Sequence, residues 1–342
     1  MMTKAPYRYT HTVGCYAIRG FGFTNPVDVA IGRHGLLYVV SRGNLDFEGN
    51  RSTKRVTVCN VAGDFLGEFS TGGSADGEIM WPACAALDSD GNLYVSDEAL
   101  SRITVFDKDR RFLTSWGARG SGDGEFDHPA GIAFDSDGNL LVVDGLNCRI
   151  QRWTRDGRCL ATWGGKGSGE GEFDMPWGIS VDHDGNVYVA DWRNDRVQKL
   201  DAEGRHLATF GSSGHGDGEL HRPAGVAVDR EGNVYVADWG NERVQVLGPD
   251  GTFIAKLRGE SGYSKWAREW FLANEDILEE RDNANLEPPV ERTPWGDFVR
   301  DESANVESRL WGPTAVKLDA DGRVFIVDSL RHRLQVYERR DG

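Results

Sequence analysis

An all-β ring of six four-stranded antiparallel blades, a β-propeller, is the fold this sequence predicts, and three observations predict it. Prolines recur at Pro26, Pro82, Pro129, Pro176, Pro223 and Pro313, spaced by 56, 47, 47, 47 and 90 residues, so a period of 47 runs through the chain. Each period holds four short apolar runs separated by turn residues. The last copy has room for only three, and the N-terminus carries a spare. A radial array of such sheets, at about 40 to 45 residues per blade, protects strand edges that would otherwise stand open.

The unit that starts at Pro223 shows the four runs in order: Val226 to Val228, Val234 to Ala237, Val244 to Leu247 and Phe253 to Leu257. The first turn reads Asp-x-Asp-Gly-Asn at Asp88 to Asn92, Asp135 to Asn139 and Asp182 to Asn186, with near-copies at Asp229 to Asn233 and Asp319 to Arg323. Glycine supplies the positive φ that such hairpins need. The third turn repeats the signal at Asp156-Gly157, Glu203-Gly204 and Asp250-Gly251. The final copy stops after its third strand, Arg333 to Tyr337. In complete units a glycine ends strand four 12 residues before the next proline, as in Gly117 to Pro129, and Gly14 lies 12 before Pro26. Tyr9 to Val13 is therefore expected to close the ring as the outer strand of blade six.

With these residues the units resemble NHL repeats: proline, aspartate-glycine turn, Tyr-Val-x-Asp strand and Arg-x-Gln-x strand are all present. The resemblance implies a six-bladed propeller over nearly the whole chain, read as one domain, 1–342. It implies little about activity, because the family includes RNA-binding domains, extracellular sensor domains and a zinc-dependent amidating lyase. The lyase branch holds zinc with inward histidines at the blade starts. Here the residues before the prolines are Asn25, Trp81, His128, Met175, Arg222 and Gly312. One histidine falls short of the roughly three ligands zinc needs, so no metal is expected. No motif calls for a cofactor.

The totals exclude further classes. A net charge of −15 works against phosphate backbones and anionic lipid surfaces, so neither nucleic acid nor membrane is an expected partner. No stretch is apolar enough to span a bilayer, and the N-terminus lacks the apolar core of a secretory signal, which predicts a cytoplasmic address. The five cysteines, Cys15, Cys59, Cys84, Cys148 and Cys159, are scattered without a Cys-x-x-Cys pair and read as reduced thiols. The Asp-x-Asp-Gly turns lack the later glutamate of a calcium loop. The glycine-rich runs beginning at Gly117 and Gly164 precede a proline-led strand, not a helix, so they are not phosphate loops. Oligomeric state leaves no signal.

Repetition separates structural residues from candidate site residues. Asp97, Asp144, Asp191, Asp238 and Asp328 end strand two, and Arg102, Arg149, Arg196, Arg243 and Arg333 follow five residues later. Five equivalent pairs are expected to brace the blades through charge-assisted hydrogen bonds.

Two insertions break the pattern: nine extra residues between Ser41 and Arg55, including RGNLDFEGN, and 43 extra between Arg258 and Pro313. Because strand direction alternates, both leave the disc on the face where strand one begins, at neighbouring blades. The spacing in SKWAREWFLANEDILEE, Ser264 to Glu280, predicts an amphipathic helix, and the proline-rich LEPPVERTPWGDF beyond it predicts irregular chain. Residues 259–312 carry 13 acidic and 6 basic residues, a net charge of −7. The segment is read as a candidate lid over the channel mouth, with a rim-packed helix or a dimer interface as the alternatives.

Residues peculiar to single blades are the better guide to a site. Asp28 stands where blades three to five have glycine, and Ser41-Arg42 replaces the strand-ending aspartate, which predicts an Arg42 free of structural pairing. Trp177, Trp192 and Trp239 add aromatic walls, Arg193 and Arg222 add positive charge, and His128 lies beside them at a blade start. The candidate ligand-binding set is Asp28, Arg42, His128, Trp177, Trp192, Arg222 and Trp239, suited to a small organic molecule or a protein partner. The alternative is an enzyme, a lyase, hydrolase or isomerase, with Asp28 or His128 as acid or base and Arg42 stabilising negative charge. No triad, metal cluster or nucleophile motif supports that alternative.

Overall fold

The computed structural model describes residues 6–43, 51–290 and 298–340. They form six four-stranded antiparallel sheets, each in simple up-and-down order from the inner strand outward. Blade five is typical, with strands Pro223–Val228, Val234–Asp238, Arg243–Leu247 and Phe253–Leu257. Blade six combines Pro313–Leu318, Val324–Asp328 and Arg333–Arg339 with the N-terminal strand Tyr7–Val13, which pairs antiparallel with Arg333–Arg339. The ring is thus closed by the N-terminal strand, two residues longer than the apolar pattern marks. Among the described residues no helix is long and apolar enough to cross a membrane.

The core lies between blades. Tyr188, Ala190, Val197 and Phe210 of blade four pack against Val226, Val234, Val236 and Leu247 of blade five, with the fully buried Leu220 wedged at the seam. Phe23, Ile79, Phe126 and Phe173 fill the same wedge elsewhere. The glycine ending strand four exists for this side chain: at Gly117, φ +105°, a Cβ would sit 2.7 Å from the Phe126 ring.

The turn aspartates spend their carboxylates on their own hairpins. Asp88 Oδ1 accepts the Asp90 and Asn92 N–H groups at 2.9 and 2.8 Å, and Asp135, Asp182, Asp229 and Asp319 do likewise. The strand-two aspartates accept at 2.7 to 2.9 Å from the Nε of Arg149, Arg196, Arg243 and Arg333, and their other oxygen takes a backbone N–H of the preceding loop. Blade two departs from the brace. Asp97 takes the Met80 and Trp81 N–H groups, while Arg102 donates to the carbonyls of Ser74, Ala75 and Glu78.

A second contact joins successive blades. Asp195, Glu242 and His332 sit in the left-handed region at φ 51°, 52° and 55°. Each side chain accepts the N–H of the residue before the next proline: Asp195 from Arg222 at 2.7 Å, Glu242 from Gly312 at 2.5 Å, and His332 Nδ1 from Asn25 at 3.0 Å. The last of these latches the closing seam. Burial pushes His332 down from about 6.5 to about 4, and the Tyr16 ring lies tilted against it at 4.9 Å. A histidine whose folded value is depressed costs no stability above pH 6.5 and progressively more as pH falls toward 4. Melting temperature is therefore expected to drop between pH 7.5 and pH 5, and His332→Asn, which keeps an acceptor but cannot titrate, should flatten that drop. An equal drop in both proteins would remove His332 from the seam's acid response.

The long insertion holds three short helices, α1 (Lys265–Leu272), α2 (Glu275–Asp282) and α3 (Phe298–Asn305). The single helix expected over Ser264 to Glu280 is broken at Asn274, whose side chain donates to the Trp270 carbonyl at 2.8 Å and so ends α1, while Glu275 and Asp276 give α2 its acidic first turn. Ser264 caps α1 by accepting the Ala267 N–H. Trp266, buried, meets Phe21, Phe23 and Phe65 edge-on at 5.6 to 6.3 Å, which seats α1 on the outer seam between blades six and one. Helix α3 lies instead beside the Trp239 turn of blade five, with Arg331 of blade six donating to the Ser303 and Val306 carbonyls at its C-terminal end. Most of RGNLDFEGN, and residues 291–297 of the proline-rich stretch, lie outside the described residues.

Candidate functional site

The axial channel is narrow where strand one begins. Gly131, Gly178 and Gly225 touch the neighbouring blade directly: a Cβ there would fall 2.4 Å from the Trp177 carbonyl oxygen, 2.6 Å from that of Ala224 and 2.9 Å from Ala315 Cα. Only about 20 Å³ of free space remains at this level, lined by Asp28, Cys84, Trp177, Thr314 and Lys317 among others. Above it lies Arg42. Its guanidinium is 5.7 Å from the Trp81 ring and 6.0 Å from that of Trp177 on the opposite blade, so it reaches across the mouth and closes it.

Arg42 is paired, contrary to the expectation of a free guanidinium. It meets Glu98 of blade two at 3.1 Å and donates to the Pro82 carbonyl at 3.2 Å. Glu98 occupies the position after the strand-two aspartate, where blades four and five carry tryptophan, so blade two supplies the carboxylate that blade one lacks. Burial pushes Glu98 up, and the Arg42 charge opposes that shift. His128 adds a bond of its Nδ1 to Asp127 at 2.8 Å on the same face.

The other half of the face is an aromatic and cationic row. Trp192 and Trp239 stand 6.3 Å apart, Arg222 lies 4.9 Å over Trp192, and Arg300 of α3 lies 4.6 Å over Trp239. Trp192 and Trp239 come from the turns after strand two and Arg222 from the loop before strand one, so the regular blades themselves place these three in line, and the insertion adds Arg300. Arg222 and Arg193 are solvent-exposed, and Trp81 is 38% exposed. Six of the seven candidate ligand residues thus occupy this face.

Asp28 does not. It is 2% exposed inside the channel, where Oδ2 meets Lys317 Nζ at 3.1 Å and accepts the Ala85 N–H at 2.9 Å and the Cys84 thiol at 2.8 Å. Asp28, expected among the ligand-binding residues at the mouth, is held instead in a buried ion pair. Burial and the Asp28 charge push the Cys84 thiol up to about 12, so it is a neutral donor at physiological pH. Lys317 and Cys84 escaped the sequence reading, although the comparison of blades that exposes Asp28 exposes them too. Asp28, His128 and Arg42, the candidate catalytic residues, each hold a different partner.

The sequence matches the NHL repeat profile over residues 173–200 and 220–247, and a 6-bladed beta-propeller profile over residues 86–157. No curated protein shows significant sequence similarity to the chain. Among solved structures it resembles a streptogramin B lyase, with a TM-score of 0.58 and 12% identity over 99% of this chain and 100% of the other. It also resembles a catalytically inactive virginiamycin B lyase from Staphylococcus aureus in complex with quinupristin, with a TM-score of 0.55 and 13% identity over 94% of this chain and 81% of that one. A protein from Bacteroides caccae gives a TM-score of 0.51 and 16% identity over 68% of this chain and 81% of that chain. At such identities the likeness is one of fold.

Proposed function

We propose that this NHL-repeat, six-bladed propeller is a binding module that engages a protein partner on the face carrying Arg42, Trp192 and Trp239. The observation that carries the reading is the closed mouth. With Arg42 held between Glu98, Trp81 and Trp177, the described residues around the channel mouth offer a broad surface rather than an open entrance to the axis. Partly exposed tryptophans beside arginines are the residue types that dominate interface energetics. Arg193 and Arg222 are exposed cations on a chain of net charge −15, which favours a partner segment bearing carboxylates.

The lyase fold likeness does not carry an enzymatic reading, because Asp28 is neutralised by Lys317, Arg42 is held by Glu98 and His128 is bonded to Asp127. The test is affinity capture from the native source with wild type and with Trp192→Ala/Arg222→Ala. Both residues have solvent-exposed surface, so the double variant should melt as wild type does while binding the captured partner at least about tenfold more weakly. A partner held equally by both proteins would place the interface elsewhere, and turnover of a small substrate lost in the double variant would favour the enzyme.

A further inference from the structure

Counting from each blade's proline, the second residue on is Asp28, Cys84, Gly131, Gly178, Gly225 and Ala315, and the fourth is Ala30, Ala86, Ala133, Ser180, Ala227 and Lys317. Small residues are the rule at both places, and Asp28, Cys84 and Lys317 are the exceptions. They come from three consecutive blades, one, two and six, and they meet at one point. Lys317 Nζ is 3.1 Å from Asp28 Oδ2 and 3.9 Å from Cys84 Sγ.

Stability does not account for this cluster. Removing a lysine and an aspartate from water costs several kcal/mol per ion, and such pairs are often no better than apolar replacements. The other blades close the ring with alanine, serine and glycine at the same positions. The cluster is also incompletely satisfied, since Asp28 Oδ1 is buried without a hydrogen-bond partner in the protein. It borders the void of about 20 Å³ above, which has room for one water molecule and is shared by the equally unpartnered Thr314 hydroxyl.

Below the cluster the channel widens to a cavity of about 340 Å³, lined by all six inner strands and opening at their far ends, on the face opposite the insertions. Each inner strand is the last in its sheet, so its free edge of N–H and C=O groups lines this cavity. Lys317 projects into it, a quarter exposed, with donor capacity beyond its bond to Asp28. At the far ends begin the hairpin turns of Asp88, Asp135, Asp182, Asp229 and Asp319, whose carboxylates are held by their own hairpins and, at Asp88, Asp135, Asp182 and Asp319, paired with Arg155, Arg152, Lys199 and Arg323 at 2.6 to 3.9 Å, so they are not free to act on a ligand.

We infer that this half-channel is a binding site for a small neutral polyhydroxyl compound, with Lys317 donating to one of its hydroxyl oxygens. The chemistry follows from the walls. Free strand edges present donors and acceptors in alternation, and a hydroxyl answers both. Asp28 already balances the Lys317 ammonium, so an anion or a cation would bring an unpaired charge into the cavity, and a neutral compound is favoured. The volume matches roughly ten water molecules and has room for a six-carbon polyol. This site is separate from the proposed protein-binding face, and neither reading depends on the other.

The test compares three probes of one size, sorbitol, gluconate and glucosamine, by saturation-transfer NMR on the full chain. Sorbitol should saturate wild type and bind more weakly by about tenfold in Lys317→Met, the scale of a hydrogen bond to a charged group. Gluconate and glucosamine should bind wild type more weakly than sorbitol. Since Lys317→Met strands the Asp28 carboxylate, Asp28→Asn/Lys317→Met and the channel-filling Ala133→Phe are measured beside it, with melting temperature as the control for folding. Loss of sorbitol binding in those variants that melt like wild type supports the site. Absence of saturable sorbitol binding to wild type overturns it, as does undiminished binding in any folded variant, or gluconate or glucosamine binding as tightly as sorbitol.

Discussion

Deleting residues 1–14 is expected to abolish the folded monomer. The strand it removes stitches three blades together: it pairs along Arg333–Arg339 of blade six, Tyr7 shares a 2.9 Å hydrogen bond with the Tyr235 hydroxyl of blade five, and His11 Nε2 donates to the Val61 carbonyl of blade one at 2.8 Å. Tyr7 and Val13 are both buried in inter-blade cores. Their loss, with the exposure of a long hydrogen-bonding edge, is of the same order as the about 5 to 15 kcal/mol that holds an ordinary domain together. The truncated chain should be largely unfolded or aggregated in size-exclusion chromatography, and a synthetic peptide of residues 1–14 should restore part of its circular dichroism. A truncated monomer that melts within about 3 °C of wild type would show that the closing strand is dispensable.

Arg243→Ala is expected to cost about 3 to 5 kcal/mol, because it strands a fully buried carboxylate. Arg243 Nε donates to Asp238 at 2.8 Å, and its other nitrogens reach the carbonyls of His215, Gly216 and Glu219 at 2.7 to 3.0 Å, so one side chain ties strand three to the preceding loop. Burial already pushes Asp238 up, against the pull of its donors, Arg243 among them. Without the arginine it rises further. A carboxylate whose folded value is raised regains stability as it protonates, so the deficit of the variant should shrink as pH falls toward 4. Urea unfolding at pH 7 and pH 4.5 measures both effects; a loss under about 1 kcal/mol at pH 7 would mean the brace is ornamental.

The ring was legible because a period needs no neighbours to be read: six prolines, their turn glycines and the Gly14 to Pro26 interval specify the blades and the closure. The helical insertion was legible only in part. Its apolar spacing marks a helix, but the break depends on the Asn274 side chain finding the Trp270 carbonyl, and α3 lies beyond a proline-rich run that hides its start. The site was harder still. Arg42 looks free along the chain because its aspartate is missing, whereas Glu98 arrives from the next blade. Lys317 sits nearly 300 residues from Asp28, a distance at which only the closed ring makes them neighbours.

The pairing of the chain's first strand with its last also sets an order in time. Residues 7–13 precede every blade in the chain, yet their hydrogen-bonding partner, residues 333–339, follows all the other blade strands, so the N-terminal strand must wait through the synthesis of every blade. Pairs so distant in sequence close late and slowly. Until they do, an incomplete ring offers the bare edge of its final blade to any passing strand, including the waiting N-terminal strand of another copy. Exchange of that one strand would link rings into dimers or chains without altering a single blade, and the latch from His332 to Asn25, which lies outside the exchanged strand, would hold blades six and one together in either arrangement.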